Sequence, residues 1–415
     1  MSRPKVIAAA LLMGLIFRAG AAAAFIPFRA NNGLPVQWNL AAEGGALTYY
    51  INKNGTSDPV GGPDVFTVFQ DSFAHWVPPA ISTTVADVIY GGTTGIDTFG
   101  ILPGDTAGDG FNVLLFVHND PDLSGGILAL TLTIYDTATG RIVETDTAFN
   151  DDYEWRTDGS GKPPATYELA PVAIHELGHF FGLDHGFVTN VAGTFDATIA
   201  CTMWPYYFGL EEESLEPDDI AGITSIYPDA PAQAAAFGAI EGRVTTWQDK
   251  PLFGIQVVAI SEAGKIPIVA QLSSINGRYR IDGVPRGDYY LYLESPFAAG
   301  TFFTAFVAPY WSSADRIGEI MLYRHVKAPS ATALVDGNAV FKHAKLVSVS
   351  PGATQTDINF KVGEPLTHNE MLAFDFDSSP GCGQLAGTAG PAGPGIALWL
   401  LPAASLLILR LCRRR

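Results

Sequence analysis

Residues His175 to His185 read HELGHFFGLDH, and no other stretch limits the fold of this chain as tightly. Three of the eight histidines fall here, spaced by four and then six residues. Between Thr166 and Phe181 nothing breaks helical geometry except a tolerated Gly178, so a helix capped by Thr166 is predicted from near Tyr167 to Phe181. On it His175 and His179 lie one turn apart on the same face, ~6 Å along the axis. Gly182 can end the helix, since glycine adopts the left-handed conformation cheaply, and the reversal brings His185 back toward the other two. Three imidazoles so placed can grip one zinc ion at ~2.0–2.1 Å and leave one position open. A water there drops to a pKa of about 7, and Glu176 stands ready to take its proton. The expected site is therefore one catalytic zinc on His175, His179 and His185, with Glu176 as the catalytic base. A bare His-Glu-x-x-His arises readily by chance; the extended form, with glycine and a third histidine in register, does not.

At 415 residues the chain exceeds one ordinary core, and two or three domains are expected. Hydrophobic residues make up 47% and charged ones 16%, with 44 Gly and 28 Pro, which describes a turn-rich globular chain with many strands. A net charge of −18 excludes nucleic acid as a partner, because nothing would neutralise its phosphates. Cys201, Cys382 and Cys412 are too few and scattered for a disulfide framework.

Both ends carry processing signals. Residues 1–24 have basic Arg3 and Lys5, an apolar run from Val6 to Phe17, and small Ala22 and Ala24, suiting an export signal cleaved before Phe25. Residues 391–415 hold an apolar run, Ile396 to Leu409, ahead of Arg413, Arg414 and Arg415. Preceded by a flexible tail over 366–390, this end resembles the C-terminal sorting tails of bacterial surface proteins, with Cys382 as a candidate attachment point. A plain membrane anchor is the other expectation. Either places the protein outside the cell, secreted or held at a bacterial membrane or envelope.

Between the ends, residues 25–228 alternate short strands with marked helices. Asp64 caps a stripe of Val65, Phe69, Phe73 and Trp76 that stops before Pro78. Strands are expected in LTYYI, ADVIY, FNVLLFV, ILALTLTIY and GRIVETDTAF, and a further helix in PDDIAGITSIY. The expected fold is α+β: a mixed twisted sheet with two long helices and a C-terminal helix. Residues 229–238 form a small-residue linker. From 239 to 365 the pattern is all-β, with alternating Ile255, Val257, Ala259, then Tyr279, Ile281, then Tyr290, Tyr292, around Asn276-Gly277 and Pro285-Arg286-Gly287 turns. Residues 239–295 resemble the carboxypeptidase regulatory-like, prealbumin-like β-sandwich modules through GRV, NGRY and GVPRGDY. His325, His343 and His368 have no ligand spacing.

The segment from His175 to Pro228 resembles the metzincin metallopeptidases and, within them, the matrixins. The extended zinc motif is complete at His175, Glu176, His179, Gly182 and His185. The resemblance implies that Met203 floors the zinc site, and that Pro205 and Tyr207 wall the pocket for the residue after the scissile bond. Pro205 stands where astacins and serralysins have a tyrosine. Asp218 and Asp219 open the closing helix and complement its dipole. Upstream strands match the matrixin sheet, and GRIVETDTAFN would be the edge along which an extended peptide substrate adds as a strand. Gly186 departs from the usual serine after the third histidine. No cysteine precedes Cys201, so the thiol that blocks zinc in latent matrixins is absent, and Cys201 is expected to be a buried spectator. No later histidine joins His118 and Asp120 to complete a structural zinc cage. Calcium is a further candidate cofactor through Asp105, Asp109, Asp120 or Asp122. The expected function is that of an exported zinc endopeptidase acting on proteins or peptides. The alternative is a surface-displayed binding or adhesive protein with a vestigial metal site.

Overall fold

The computed structural model describes residues 6–12, 25–58, 61–78, 83–85, 87–100, 108–186, 188, 197–264, 266–295, 309–315, 317, 320–323, 326–328 and 341–363. The expected tail over 366–415, with Cys382 and Cys412, lies outside these residues, as do Asp105, His325 and His368. Among the described residues no helix is long and apolar enough to cross a membrane.

In the first half β1 (Val6–Leu12), β2 (Ile26–Pro27), β3 (Gln37–Trp38) and β4 (Ala46–Asn52) precede helix α1 (Val65–Ala74). Then come β5 (Asp87–Thr94), β6 (Val113–Val117), β7 (Ala129–Asp136), β8 (Arg141–Asn150), β9 (Glu154–Arg156) and β10 (Thr166–Glu168). Helix α2 (Leu169–Phe180), β11 (Leu183–Asp184) and helix α3 (Pro217–Ile226) complete it. The main sheet runs β1-β7-β8-β6-β4-β5, with β3 beside β8. Only β7 and β1 run antiparallel to their neighbours.

One expectation is corrected here. GRIVETDTAFN is not an edge: β8 pairs with β7 on one side and with β6 on the other. Its unbroken buried run from Glu144 to Asn150 is what a strand covered on both faces requires. The antiparallel strand nearer the margin is β7. Of the segment expected to be an export signal, Val6–Leu12 is described, lying along β7 from Val6 opposite Asp136 to Leu12 opposite Leu130.

Helix α1 forms as its pattern demands. The Asp64 carboxylate accepts the Thr67 N–H at 3.0 Å, and Val65, Phe69, Phe73 and Trp76 are all buried. Phe73 and Trp76 pack on Phe180 and Phe181 at the end of α2, with ring centroids 5.1 and 6.2 Å apart. Helix α2 starts later than predicted. Thr166 to Glu168 pair in parallel with β9, and the Thr166 hydroxyl accepts from the Lys162 N–H instead of capping. A backbone already satisfied in a strand has no need of a cap there.

The opposite face of the sheet carries an unforeseen pair of buried carboxylates. Asp146 accepts from the N–H groups of Gly100 and Val113 at 2.7 and 3.0 Å, and Glu144 accepts from Gly110. Burial outweighs these bonds and pushes Asp146 up to about 8 and Glu144 up to about 7. Each oxygen of Asp146 serves a donor, whereas Glu144 Oε1 is buried with no partner among the described residues. Glu144 would titrate near 4.5 when unfolded, so its contribution to stability is complete below that pH and is lost as pH rises through about 7. Glu144→Gln is therefore expected to stabilise the protein by about 1 kcal/mol at pH 8 and by nothing at pH 4. Chemical unfolding at the two pH values tests this, and equal effects at both would contradict it.

The second half opens with α4 (Ala230–Ala236), so most of the expected linker is a helix, capped by the Asp229 carboxylate on the Ala232 N–H. Alanine-rich sequence supports helix as readily as loop. Strands β12 (Phe237–Thr246), β13 (Gln256–Ser261), β14 (Pro267–Leu272), β15 (Arg278–Pro285) and β16 (Gly287–Glu294) follow. Short β17 (Ile320–Leu322), β18 (Val326–Ala328), β19 (Val347–Val349), β20 (Thr354–Gln355) and β21 (Phe360–Val362) complete them. They form two sheets, one built on β12 and β15 and the other on β13, β14 and β16. Ile240, Val244 and Tyr279 from the first meet Val257, Ala259 and Leu291 from the second in one core. Residues of the other face of β13, Val258 and Ile260, join the core of the first half. That double coverage explains why Gln256 to Ile260 are buried without a break, where simple alternation was expected.

Candidate metal centre

Helix α2 is buried on every side, from Leu169 to Phe180 except Ala170. Its C-terminal carbonyls, which no later turn can satisfy, are taken by side chains from distant elements. The Trp38 indole donates to Phe180 O at 2.8 Å and the Tyr227 hydroxyl donates to Phe181 O at 2.8 Å. The Trp76 indole donates to Ile174 O at 2.9 Å, beside the first histidine. The helix stops as expected: Gly182 has φ of +95°, and its N–H donates to His179 O at 2.9 Å. A Cβ there would meet Val36 O at 2.5 Å, so the turn admits only glycine.

The reversal brings the three histidines together. Ring centroids are 4.9 Å apart for His175 and His179, 5.2 Å for His175 and His185, and 4.7 Å for His179 and His185. One nitrogen from each lies within 4.8 Å of the others, and all three side chains are buried. Among the described residues this is the one group of three or more such side chains close enough to share an ion. His175 Nδ1 sits 2.7 Å from Thr202 O and His179 Nδ1 sits 2.8 Å from Leu183 O. Donation to those carbonyls puts the proton on Nδ1 and leaves Nε2 as the free lone pair, the tautomer a metal needs. His175 Nε2 is buried with no hydrogen-bond partner among the described residues. Burial pushes His175 down to about 4 and His179 well below the ordinary range, the latter helped by its two histidine neighbours. Neutral, converging nitrogen donors with an orphaned lone pair fit zinc.

Glu176 is 1% exposed on the next position of the helix. The Thr131 hydroxyl on β7 is 2.6 Å from Glu176 Oε2 and 3.0 Å from the Thr147 hydroxyl on β8. Burial pushes the Glu176 carboxyl up to about 8, against the pull of the Thr131 bond. One carboxylate oxygen, on the residue next to His175, is thus held by the sheet. Nothing in the sequence marks Thr131 out; it is one apolar-strand threonine among several, and only the register of β7 with β8 brings it to Glu176.

Met203 is 1% exposed beneath the helix. Its closeness depends on Gly178: a Cβ at that position would meet Met203 Sδ at 2.1 Å and Trp76 Cζ2 at 3.0 Å. The glycine that sequence patterning only tolerates is required by the packing. Helix propensity alone favours Gly178→Ala by about 1 kcal/mol. Overpacking a sealed site costs about 1–3 kcal/mol and should win. The expected net effect is a lower melting temperature, and a rise would show that Met203 can move aside.

The backbone around Met203 is held by Asp219, whose carboxylate accepts from Thr202, Met203 and Glu216 N–H groups at 2.8, 3.1 and 2.9 Å. Asp219 thus does more than complement the dipole of α3: it fixes the peptide whose carbonyl orients His175. Pro205 is buried, and the Tyr207 hydroxyl accepts the Glu168 N–H at 3.3 Å at the start of α2. Gly186 N–H donates to Met203 O at 2.8 Å, a backbone contact for which the usual serine is not needed. Cys201 is a buried free thiol.

Two of the candidate calcium aspartates serve local turns. Asp109 accepts from the Phe111 N–H and Asp120 from the Asp122 N–H, each at 2.8 Å. His118 Nδ1 lies 2.6 Å from Asp152 Oδ1 at the surface.

Residues 118–228 match the matrixin family model. The chain is 27% identical over 199 residues to metalloendoproteinase 1-MMP of Arabidopsis thaliana, covering 47% of this chain and 45% of that protein. It is 39% identical over 92 residues to matrix metalloproteinase-27 of Homo sapiens, 22% of this chain and 15% of that one. It is 32% identical over 79 residues to karilysin of Tannerella forsythia, 19% and 13% respectively. The chain thus spans less than half the length of each of these relatives.

Proposed function

We propose that this chain is a zinc-dependent endopeptidase of matrixin type, exported and held at a cell surface by its C-terminal segment. The observation that carries this is the convergence of His175, His179 and His185 beside a glutamate whose second oxygen Thr131 holds in place. The matrixin match over residues 118–228 supports it. Zinc bound by the three histidines would supply a Lewis acid for the peptide carbonyl and make water nucleophilic near neutral pH.

The chain's own residues do the rest. With a dication held by the three histidines the Glu176 carboxyl would be kept ionised despite its burial, and it then takes a proton from the attacking water through Oε1 and passes it to the leaving amine. Thr131 keeps Oε2 occupied, which restricts the carboxylate to one orientation. The same β7 strand that carries Thr131 is the one beside which an extended substrate would lie once the Val6–Leu12 segment paired along it is removed with the leader, pairing through main-chain hydrogen bonds. Pro205 and Tyr207 would wall the pocket for the residue after the scissile bond. Substrates are then unfolded or extended peptide segments.

A peptide library cleaved by the chain from Phe25 to Val362 tests the proposal. Internal cleavage is expected, lost with a chelator and restored by zinc. A zinc-loaded, folded protein that cuts no peptide would favour instead a surface binding protein with an inert metal site.

A further inference from the structure

We propose that one end of the β-rich half docks on an anionic lipid bilayer, with Trp247 and Ile275 entering the interface and basic side chains around them meeting the headgroups. This rests on the proposal that the C-terminal segment holds the chain at a membrane. Ile275 is 73% exposed and Trp247 54%, the two highest values for a large apolar side chain among the described residues. Both lie at the same end of the two-sheet core. The turn after β12 carries Trp247 and the turn before β15 carries Ile275. A Cβ at Gly277 would meet Pro251 Cβ at 3.1 Å, so the two connections touch.

Neither side chain is exposed through looseness of its turn. The Thr246 N–H donates to Lys250 O at 2.8 Å, the Asp249 N–H to Thr246 O at 3.0 Å and the Trp247 N–H to Val362 O at 3.1 Å. In the other turn the Ser274 N–H donates to Arg278 O at 2.8 Å and the Gly277 N–H to Ser274 O at 2.7 Å. The Asn276 carboxamide oxygen accepts the Arg278 N–H at 3.0 Å. Polar residues are the usual occupants of such tips. An apolar side chain fixed outward on each gains nothing from folding and gives up little freedom on entering lipid. Tryptophan in particular settles at the headgroup level.

The charges fit an anionic surface. The chain as a whole carries −18, yet Arg243, Lys250, Arg278 and Lys361 flank these two turns. Arg243 and Arg278 stand directly opposite each other on adjacent strands, a pairing that costs stability unless an anion lies close. Neither forms an ion pair among the described residues. Asp249, the one acid of the two turns, is tied to Lys361 at 2.6 Å. Negative charge elsewhere on the chain opposes contact, so the basic end sets the orientation. The chain also leaves the fold here: β21 ends at Val362 alongside Thr246, and residues 363–395 join that point to the apolar run from Ile396. An anchor so placed makes docking intramolecular, and a contact too weak to hold a free protein is then enough.

The full chain carrying Trp399→Phe, incorporated into vesicles of phosphatidylcholine and phosphatidylglycerol with acyl chains brominated next to the headgroups, tests this. The other described tryptophans are buried, so quenching by bromine reports on Trp247. About half of the Trp247 emission, taken as the difference from Trp247→Phe on the same background, should be lost, and the loss should fall about fivefold in Ile275→Asp. It should fall likewise when phosphatidylglycerol is left out, a measurement that needs no further substitution. Flotation of the same samples with the vesicles reports the anchor separately. A chain that floats with Trp247 unquenched overturns the docking, leaves the anchor standing and frees that end for a protein partner. A chain that does not float overturns both. Quenching that neither Ile275→Asp nor neutral lipid reduces would reflect tethering alone and also overturns the docking. None of these readouts involves peptide cleavage, so they stand apart from the catalytic proposal.

Discussion

Glu176→Ala is expected to bind zinc with unchanged stoichiometry and to lose peptide cleavage by about 10²–10⁴-fold. The two effects separate because the three histidines are oriented by Thr202 O, Leu183 O and the main chain after Gly182, none of which depends on Glu176. Removing a buried carboxyl whose proton affinity is raised should also leave stability close to that of the parent, since the cost of its burial disappears with the Thr131 bond. Metal content, melting temperature and cleavage rate on one preparation give all three numbers. Retained cleavage would remove Glu176 from the role of base. Lost zinc would show that the carboxylate is a ligand.

His185→Ala has the second largest expected effect, on metal affinity and on stability together. It leaves two imidazoles on α2 with no third donor, because the other described histidines lie elsewhere in the fold. Zinc at a thousand times its dissociation constant stabilises a folded protein by about 4 kcal/mol, and that increment should vanish in the variant. The parent should therefore melt lower when a chelator is added, while His185→Ala melts at the same temperature with and without it. A variant that still gains stability from zinc would mean that two histidines and some other group suffice.

Much of the site was legible in the sequence because its geometry is local. His175 and His179 share a face through helical periodicity alone, and Gly182 ends the helix by the conformational freedom that only glycine has. The strands of the first half also declared themselves by pattern, as did α1 through Asp64. What the sequence could not yield depends on contacts across the fold. Thr131 reaches Glu176 only because β7 and β8 pair in one particular register, and Thr202 matters through a carbonyl that every residue possesses. GRIVETDTAFN was expected at the edge from its likeness to the matrixin strands, yet its buried second part lies between two neighbours. The segment 229–238 looked like a linker because small residues suit loops; with Asp229 as a cap they suit a helix equally. Gly178 shows the limit most clearly, since propensity marks it as a defect and packing against Met203 makes it a requirement. The two halves also share core residues across α3, which no local pattern could reveal.

The central claim is that three imidazoles hold one zinc ion. Zinc-edge X-ray absorption on the purified chain, loaded with one equivalent of metal, tests it most directly. The account predicts three histidine nitrogens at ~2.0–2.1 Å and one further light donor. Fewer than three imidazoles around the metal, or sulfur among its ligands, would contradict it.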